Sequence, residues 1–140
     1  ELAGEINTGM PAYVVQKVGD ALNSIGKAIN GSCILVLGLA YKKNVDDLRE
    51  SPSLELIDQL KDMGADVHYS DPYFDIIPPT RKYQLNLSTT PLNADSLKSA
   101  DVVLLATDHD NFDYDLIEKY AKLIVDTRGR FKNSNKVTKA

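Results

Sequence analysis

The apolar positions of this chain fall into two alternating patterns. Val14, Val18, Leu22, Ile25 and Ile29 recur at three- and four-residue spacings, which places them on one face of a helix. That helix is expected over residues 11–29, with Pro11 in its first turn and Asn30-Gly31 as its stop. After Gly31 short, continuous apolar runs alternate with helical periods. Strands are predicted at 33–37, 66–69, 102–106 and 123–125, with a weak one at 85–87. Helices are predicted at 52–63, 92–99 and 114–121. Leu56, Ile57, Leu60 and Met63 form the inward face of the 52–63 helix, and Gly64 its C-cap. Residues 72–84, with Pro72, Pro78 and Pro79, read as loop.

Uniformly apolar strands separated by helices predict an α/β, Rossmann-like, three-layer domain. Its sheet is mostly parallel and buried on both faces, and a long connecting helix precedes it. The expected organisation is 1–30 as the end of a middle region plus that helix, 31–131 as the Rossmann-like domain, and 132–140 as a polar, disordered tail.

Such sheets bind ligands beyond the carboxyl ends of their strands. Those ends read Gly38 to Lys43, Ser70-Asp71-Pro72, Thr107-Asp108-His109 and Asp126-Thr127-Arg128. The first end carries Lys42 and Lys43, then Arg49, and opens into a helix capped by Ser51 with Pro52 at its first position. These cations read either as solvated loop charges or as an anion grip. Their place between a buried strand and a helix N-terminus favours the grip. Arg128 and Lys42 at two strand ends suit a diphosphate clamp. Neither the Walker spacing nor the Gly-x-Gly-x-x-Gly fingerprint is present; only Gly38 remains of the latter. Asp71 reads as a turn-forming Asp-Pro rather than a ribose-binding acid, Asp126 as a cap for loop N–H groups, and His109 as a loop or capping residue.

With 140 residues and a formal charge of −4, the chain is one domain, or one domain plus a fragment, and it lacks the net basic character of a nucleic-acid binder. No apolar run approaches the roughly 20 residues that span a bilayer, and residues 1–20 do not form a signal peptide. The one cysteine, Cys33, lies in an apolar run and reads as a buried, inert thiol. No Cys/His cluster has metal-site spacing, so no metal is expected, and no catalytic constellation is evident. The cytoplasm is the default compartment.

The motifs Asn7-Thr8-Gly9-Met10-Pro11, Gly38-Leu39-Ala40-Tyr41-Lys42-Lys43 and Asp46-Asp47-Leu48-Arg49-Glu50-Ser51-Pro52 occur in that order. Gly64-Ala65, Tyr69-Ser70-Asp71-Pro72, Ala100-Asp101-Val102-Val103, Thr107-Asp108-His109 and Val125-Asp126-Thr127-Arg128 follow. Together they resemble the carboxyl-terminal domain of the UDP-glucose/GDP-mannose dehydrogenase family, over nearly everything up to Phe131. The resemblance implies part of an NAD-dependent nucleotide-sugar 6-dehydrogenase, which oxidises the sugar C6 hydroxyl to a carboxylate in two steps and feeds polysaccharide biosynthesis. It implies substrate contacts from Tyr41, Lys42 and Arg128, a reach by Arg49 toward NAD bound mainly on an amino-terminal domain, and a structural role for Asp126. The partner is a UDP-sugar, with the UDP-N-acetylhexosamine branch preferred, and the whole enzyme is expected to be a homodimer or larger. The family's glycine-rich NAD loop, catalytic cysteine motif and catalytic lysine and asparagine are not in this sequence, so this chain alone should not turn over.

A signalling receiver domain would have similar size and strand order, but it needs an acidic pair where Tyr41-Lys42-Lys43 stands. A small NAD-binding regulatory domain would need the missing glycine fingerprint.

Overall fold

The computed structural model describes residues 2–40, 44, 48, 51–79 and 85–140, with only the helical backbone described for 2–10. Tyr41, Lys42, Lys43 and Arg49, all singled out from the sequence, lie outside the described residues.

Helix α1 (Leu2–Asn23) is followed by β1 (Cys33–Leu37), α2 (Pro52–Asp62), β2 (Asp66–Ser70), α3 (Ala94–Ser99), β3 (Val102–Leu105), α4 (Tyr114–Tyr120), β4 (Ile124–Asp126) and β5 (Val137–Lys139). The strands make one five-stranded sheet of order β2-β1-β3-β4-β5. Every neighbouring pair is parallel. On one face Ile34, Val36, Val102, Leu104 and Val125 pack against α1 and α2 through Val18, Leu22, Ile57 and Leu60. On the other face Leu35, Leu37, Val103, Leu105 and Ile124 meet Leu97 of α3 and Ile117 of α4. This two-sided burial is why the strands are uniformly apolar. Among the described residues no helix is long and apolar enough to cross a membrane.

Four sequence expectations are corrected. Helix α1 begins well before Pro11, which sits inside it, and ends at Asn23 instead of residue 29. The stop is a Schellman turn: Lys27 N–H donates to Leu22 O and Gly26 N–H to Asn23 O, each at 3.0 Å, with Gly26 at φ 75°. Ile29 is still buried, but Ile25 is left exposed. Met63, assigned to the inward face of α2, is likewise exposed because it is the C-cap; Gly64 at φ 92° completes a second Schellman turn through Ala65 N–H to Leu60 O at 3.1 Å.

The third correction concerns the tail. Residues 132–140 are not a disordered extension: Val137–Lys139 pairs in parallel with β4 and forms the sheet edge. The segment reads as polar because an edge strand is half solvated and needs no continuous apolar run. Beside the backbone ladder and the packing of Val137 against the core, an ion pair ties it down: Lys139 Nζ stands 3.1 Å from Asp126 Oδ2. The expected strand at 85–87 does not form; isolated bridges pair Tyr69 with Thr89 and Ile76 with Ser88.

Candidate functional site

In this strand order the chain runs from β1 to β2 on one side and then crosses to β3 on the other. The crevice between the carboxyl ends of β1 and β3 is therefore the topological switch point, where open α/β sheets bind ligands. Gly38 and Thr107 face each other there. Gly38 adopts φ 92°, and a Cβ on it would lie 2.5 Å from Thr107 Cβ and 2.7 Å from Thr107 O. Only glycine lets the two strand ends approach this closely. The Thr107 hydroxyl donates to Ala40 O, and the Ser51 hydroxyl donates to Leu39 O. Ser51 also caps α2 by accepting from Ser53 N–H at 3.2 Å, as the sequence predicts.

Asp71 organises the rim. Its Oδ2 accepts Leu39 N–H at 2.7 Å and faces His109 Nε2 at 3.2 Å, while its Oδ1 accepts Tyr73 N–H at 2.7 Å. The last bond is the turn expected of Asp-Pro. With both oxygens engaged and the side chain fully buried, Asp71 is not presented to a ribose. The single glycine and this inward-facing acid mean that the described rim does not fit a dinucleotide held in the usual Rossmann manner.

His109 was missed by the sequence reading as a structural centre. It is fully buried, and its Nδ1 accepts Asn44 N–H at 2.7 Å, so the proton sits on Nε2 and points to Asp71. Asn44 takes up φ 62°, a conformation asparagine tolerates better than most residues. Its side chain closes a reciprocal pair with Asp110: Nδ2 donates to Asp110 Oδ2 and Asp110 N–H donates to Asn44 Oδ1, both at 2.9 Å. The loop after β1 is thus fastened to the loop after β3. Tyr73 and Phe112 flank the imidazole, with ring centroids at 4.9 and 5.6 Å. The appearance of His109 in the strand-end motif was the available signal; the partner Asn44 carried none.

Arg128 is the described member of the sequence-derived set. It follows β4, its Nε donates to Ala106 O at 3.0 Å, and the residue is exposed. This bond fixes the root of the guanidinium against the end of β3, beside the switch point. Asp126 beneath it is buried. Its Oδ1 accepts Arg128 N–H at 2.9 Å and its Oδ2 accepts Phe131 N–H at 2.8 Å, the loop-capping role expected for it. Burial pushes the Asp126 carboxyl up. The N–H donors of Phe131 and Arg128, with Lys139, outweigh that and hold it below the usual carboxylate range. Arg130 lies over the Tyr114 ring at 4.1 Å and pairs with Asp108 and Asp110 at 3.6 and 3.7 Å. Tyr114 donates to His109 O at 2.6 Å, and burial pushes its hydroxyl up to about 12.

The rim therefore offers an anchored arginine, a close-packed switch point and a fastened loop, an arrangement that suits binding an anion more than breaking bonds in it.

Comparison with known proteins bears on the fold and the family. The chain is 38% identical over 110 residues to the UDP-N-acetyl-D-mannosamine dehydrogenase of Methanococcus maripaludis, covering 79% of this chain and 23% of that protein. It is 31% identical over 132 residues to the NDP-N-acetyl-D-galactosaminuronic acid dehydrogenase of Ralstonia solanacearum, covering 91% of this chain and 29% of that protein. The structure of UDP-D-ManNAc dehydrogenase from Pyrococcus horikoshii superposes with a TM-score of 0.77 at 27% identity, over 99% of this chain and 32% of the other. The chain thus spans less than a third of the length of these relatives. Residues 35–133 match the UDP binding domain of the UDP-glucose/GDP-mannose dehydrogenase family, and the chain belongs to that family.

Proposed function

We propose that this chain is the substrate-nucleotide domain of an NAD-dependent UDP-sugar 6-dehydrogenase, binding the UDP portion of the substrate on the rim between β1, β3 and β4. The observation that supports the reading is Arg128, rooted on Ala106 O at the end of β3 beside the switch point, in a domain of this family. Arg128, Lys42 and Tyr41 would hold the diphosphate and nucleotide. Each charge-assisted hydrogen bond of this kind contributes about 1.5–3 kcal/mol when well formed. Arg49 would reach toward NAD held mainly by a domain outside this chain. The sequence carries no family-type catalytic cysteine motif, so bond-making would occur there too, and the role of this domain is to convert remote binding energy into positioning of the sugar C6. The names of the relatives favour a UDP-N-acetylhexosamine as substrate. A cytoplasmic, homodimeric or larger whole enzyme goes with the same reading.

The test is calorimetric titration of the chain with UDP, with NAD as comparator. The expected outcome is salt-sensitive UDP binding, weakened roughly tenfold to a hundredfold by Arg128→Ala, and no NAD binding. NAD binding in place of UDP, or UDP binding indifferent to Arg128→Ala, would overturn it.

A further inference from the structure

The opposite pole of the sheet carries a second cluster, which the nucleotide rim does not use. Cys33 opens β1 and Asp66 opens β2, and the parallel register makes them direct partners, with His68 two residues further along β2. Residues two apart on a strand project from the same face. Cys33 Sγ, an Asp66 carboxylate oxygen and a His68 ring nitrogen accordingly all lie within 4.8 Å of one another. His68 Nε2 is 3.1 Å from Asp66 Oδ2, and the two side chains are 45% and 71% exposed. The linear sequence hides the set, because Cys33 is 33 positions from its partner Asp66 (66 − 33).

We propose that Cys33, Asp66 and His68 form a binding site for one divalent cation of the zinc class, closed by water in the remaining position. Thiolate, imidazole and carboxylate together are the donor set of a borderline-soft transition metal, not of calcium or magnesium. Around a tetrahedral zinc, with bonds of about 2.0–2.3 Å, donor atoms sit about 3.3–3.7 Å apart. Small side-chain rotations close the remaining gap. The support of the site is already ordered: Cys33 N–H donates to Asp101 Oδ2 at 2.8 Å, and Lys27 holds the other Asp101 oxygen at 2.8 Å.

The local field has the sign a cation requires. Cys33 is half-buried, not buried as its sequence context suggested. The Asp66 and Asp101 carboxylates beside Cys33 favour a divalent ion there, and the thiol proton leaves to solvent as the sulfur–metal bond forms. The bound ion would pin the starts of β1 and β2 together and stabilise the sheet without touching the rim.

The test is titration of the chain with zinc and with cobalt ions. The expected result is one equivalent bound, thiolate-to-cobalt absorption in the near ultraviolet, and protection of the one cysteine from iodoacetamide by zinc. The Cys33→Ser variant should lose the absorption. The exposed, conservative His68→Gln should bind at least tenfold more weakly, while its melting temperature without metal stays that of the parent chain. Absence of the charge-transfer band at millimolar cobalt, or a band whose affinity ignores His68→Gln, would overturn the proposal. The UDP titration is independent of either outcome.

Discussion

Asp71 and His109, 38 residues apart, meet at 3.2 Å with both side chains fully excluded from solvent, each at the carboxyl end of a different strand. Their contact joins the β2 and β3 ends, and the shared Oδ2 also holds Leu39 N–H after β1. Three strand ends thus depend on one carboxylate. Replacing Asp71 with Ala would leave the Leu39 and His109 donors buried without acceptors. The expected cost is about 3–5 kcal/mol, read as a lower urea midpoint at an unchanged slope. A loss below about 1 kcal/mol would show that water or another group satisfies these donors and that the pair is incidental.

Gly38 and Gly129 offer a matched contrast. Both have positive φ, 92° and 69°, but the space around Gly129 is open, whereas a Cβ at Gly38 would overlap Thr107. Gly129→Ala should cost about 1–2 kcal/mol of backbone strain alone. Gly38→Ala adds a clash with backbone atoms and should cost at least about 2 kcal/mol more, or abolish folding. Equal effects in parallel denaturation curves would mean that the β1 and β3 ends separate easily, and that the switch-point crevice is looser than its geometry.

Much of this architecture was legible in the chain. The runs at Cys33–Leu37 and Val102–Leu105 could only be strands buried on both faces, and Ser51-Pro52 marked the start of α2. The strand-end rule then collects Gly38, Asp71, Thr107 and Asp126 from the sequence alone. What stayed hidden depends on pairing over long distance. Val137–Lys139 is too short and too polar to announce itself, and it becomes a strand because β4 offers a free edge and Asp126 offers Lys139 an anion. His109 looks like any loop histidine until Asp71 and Asn44 are brought to its two nitrogens. Cys33 looks inert until the register sets Asp66 beside it. Local periodicity records which side of an element is apolar; it holds no information on which polar groups will meet across the sheet.

Asn44 supplies the most direct probe of how the loop after β1 serves the rim. Its three hydrogen bonds, one through the backbone to His109 and two through the side chain with Asp110, fasten that loop to the end of β3. Asn44→Gly keeps access to φ 62° and removes only the side-chain pair. Global stability should move by less than about 1 kcal/mol, because the lost pair is exposed. On the proposed reading UDP affinity should fall severalfold, because Asn44 would no longer tie its loop to Asp110 beside the rim. Calorimetric titration beside a denaturation curve separates the two effects; unchanged affinity would remove the loop from the binding reading.

Asp126 sets the acid response. Its carboxyl is held below the ordinary value of 3.8: burial works against this, but the Phe131 and Arg128 N–H groups and Lys139 prevail. A carboxyl depressed in the folded state contributes stability that is complete above its unfolded value and is lost as pH falls through the folded one. Asp101, held down chiefly by Lys27, acts with the same sign. The contribution of these two carboxylates should therefore be complete from neutrality to about pH 5 and be lost below the ordinary carboxylate range. Asp126→Asn should lower stability at pH 7, since the Lys139 contact and the strength of two N–H bonds go with the charge, and should flatten the acid limb. Lys139→Met should do part of the same by raising the carboxyl toward its usual value, and it should also free the β5 edge. Urea midpoints from pH 7 down to pH 3 check both statements. An acid limb equally steep in Asp126→Asn would assign the response to Asp101 and other carboxylates.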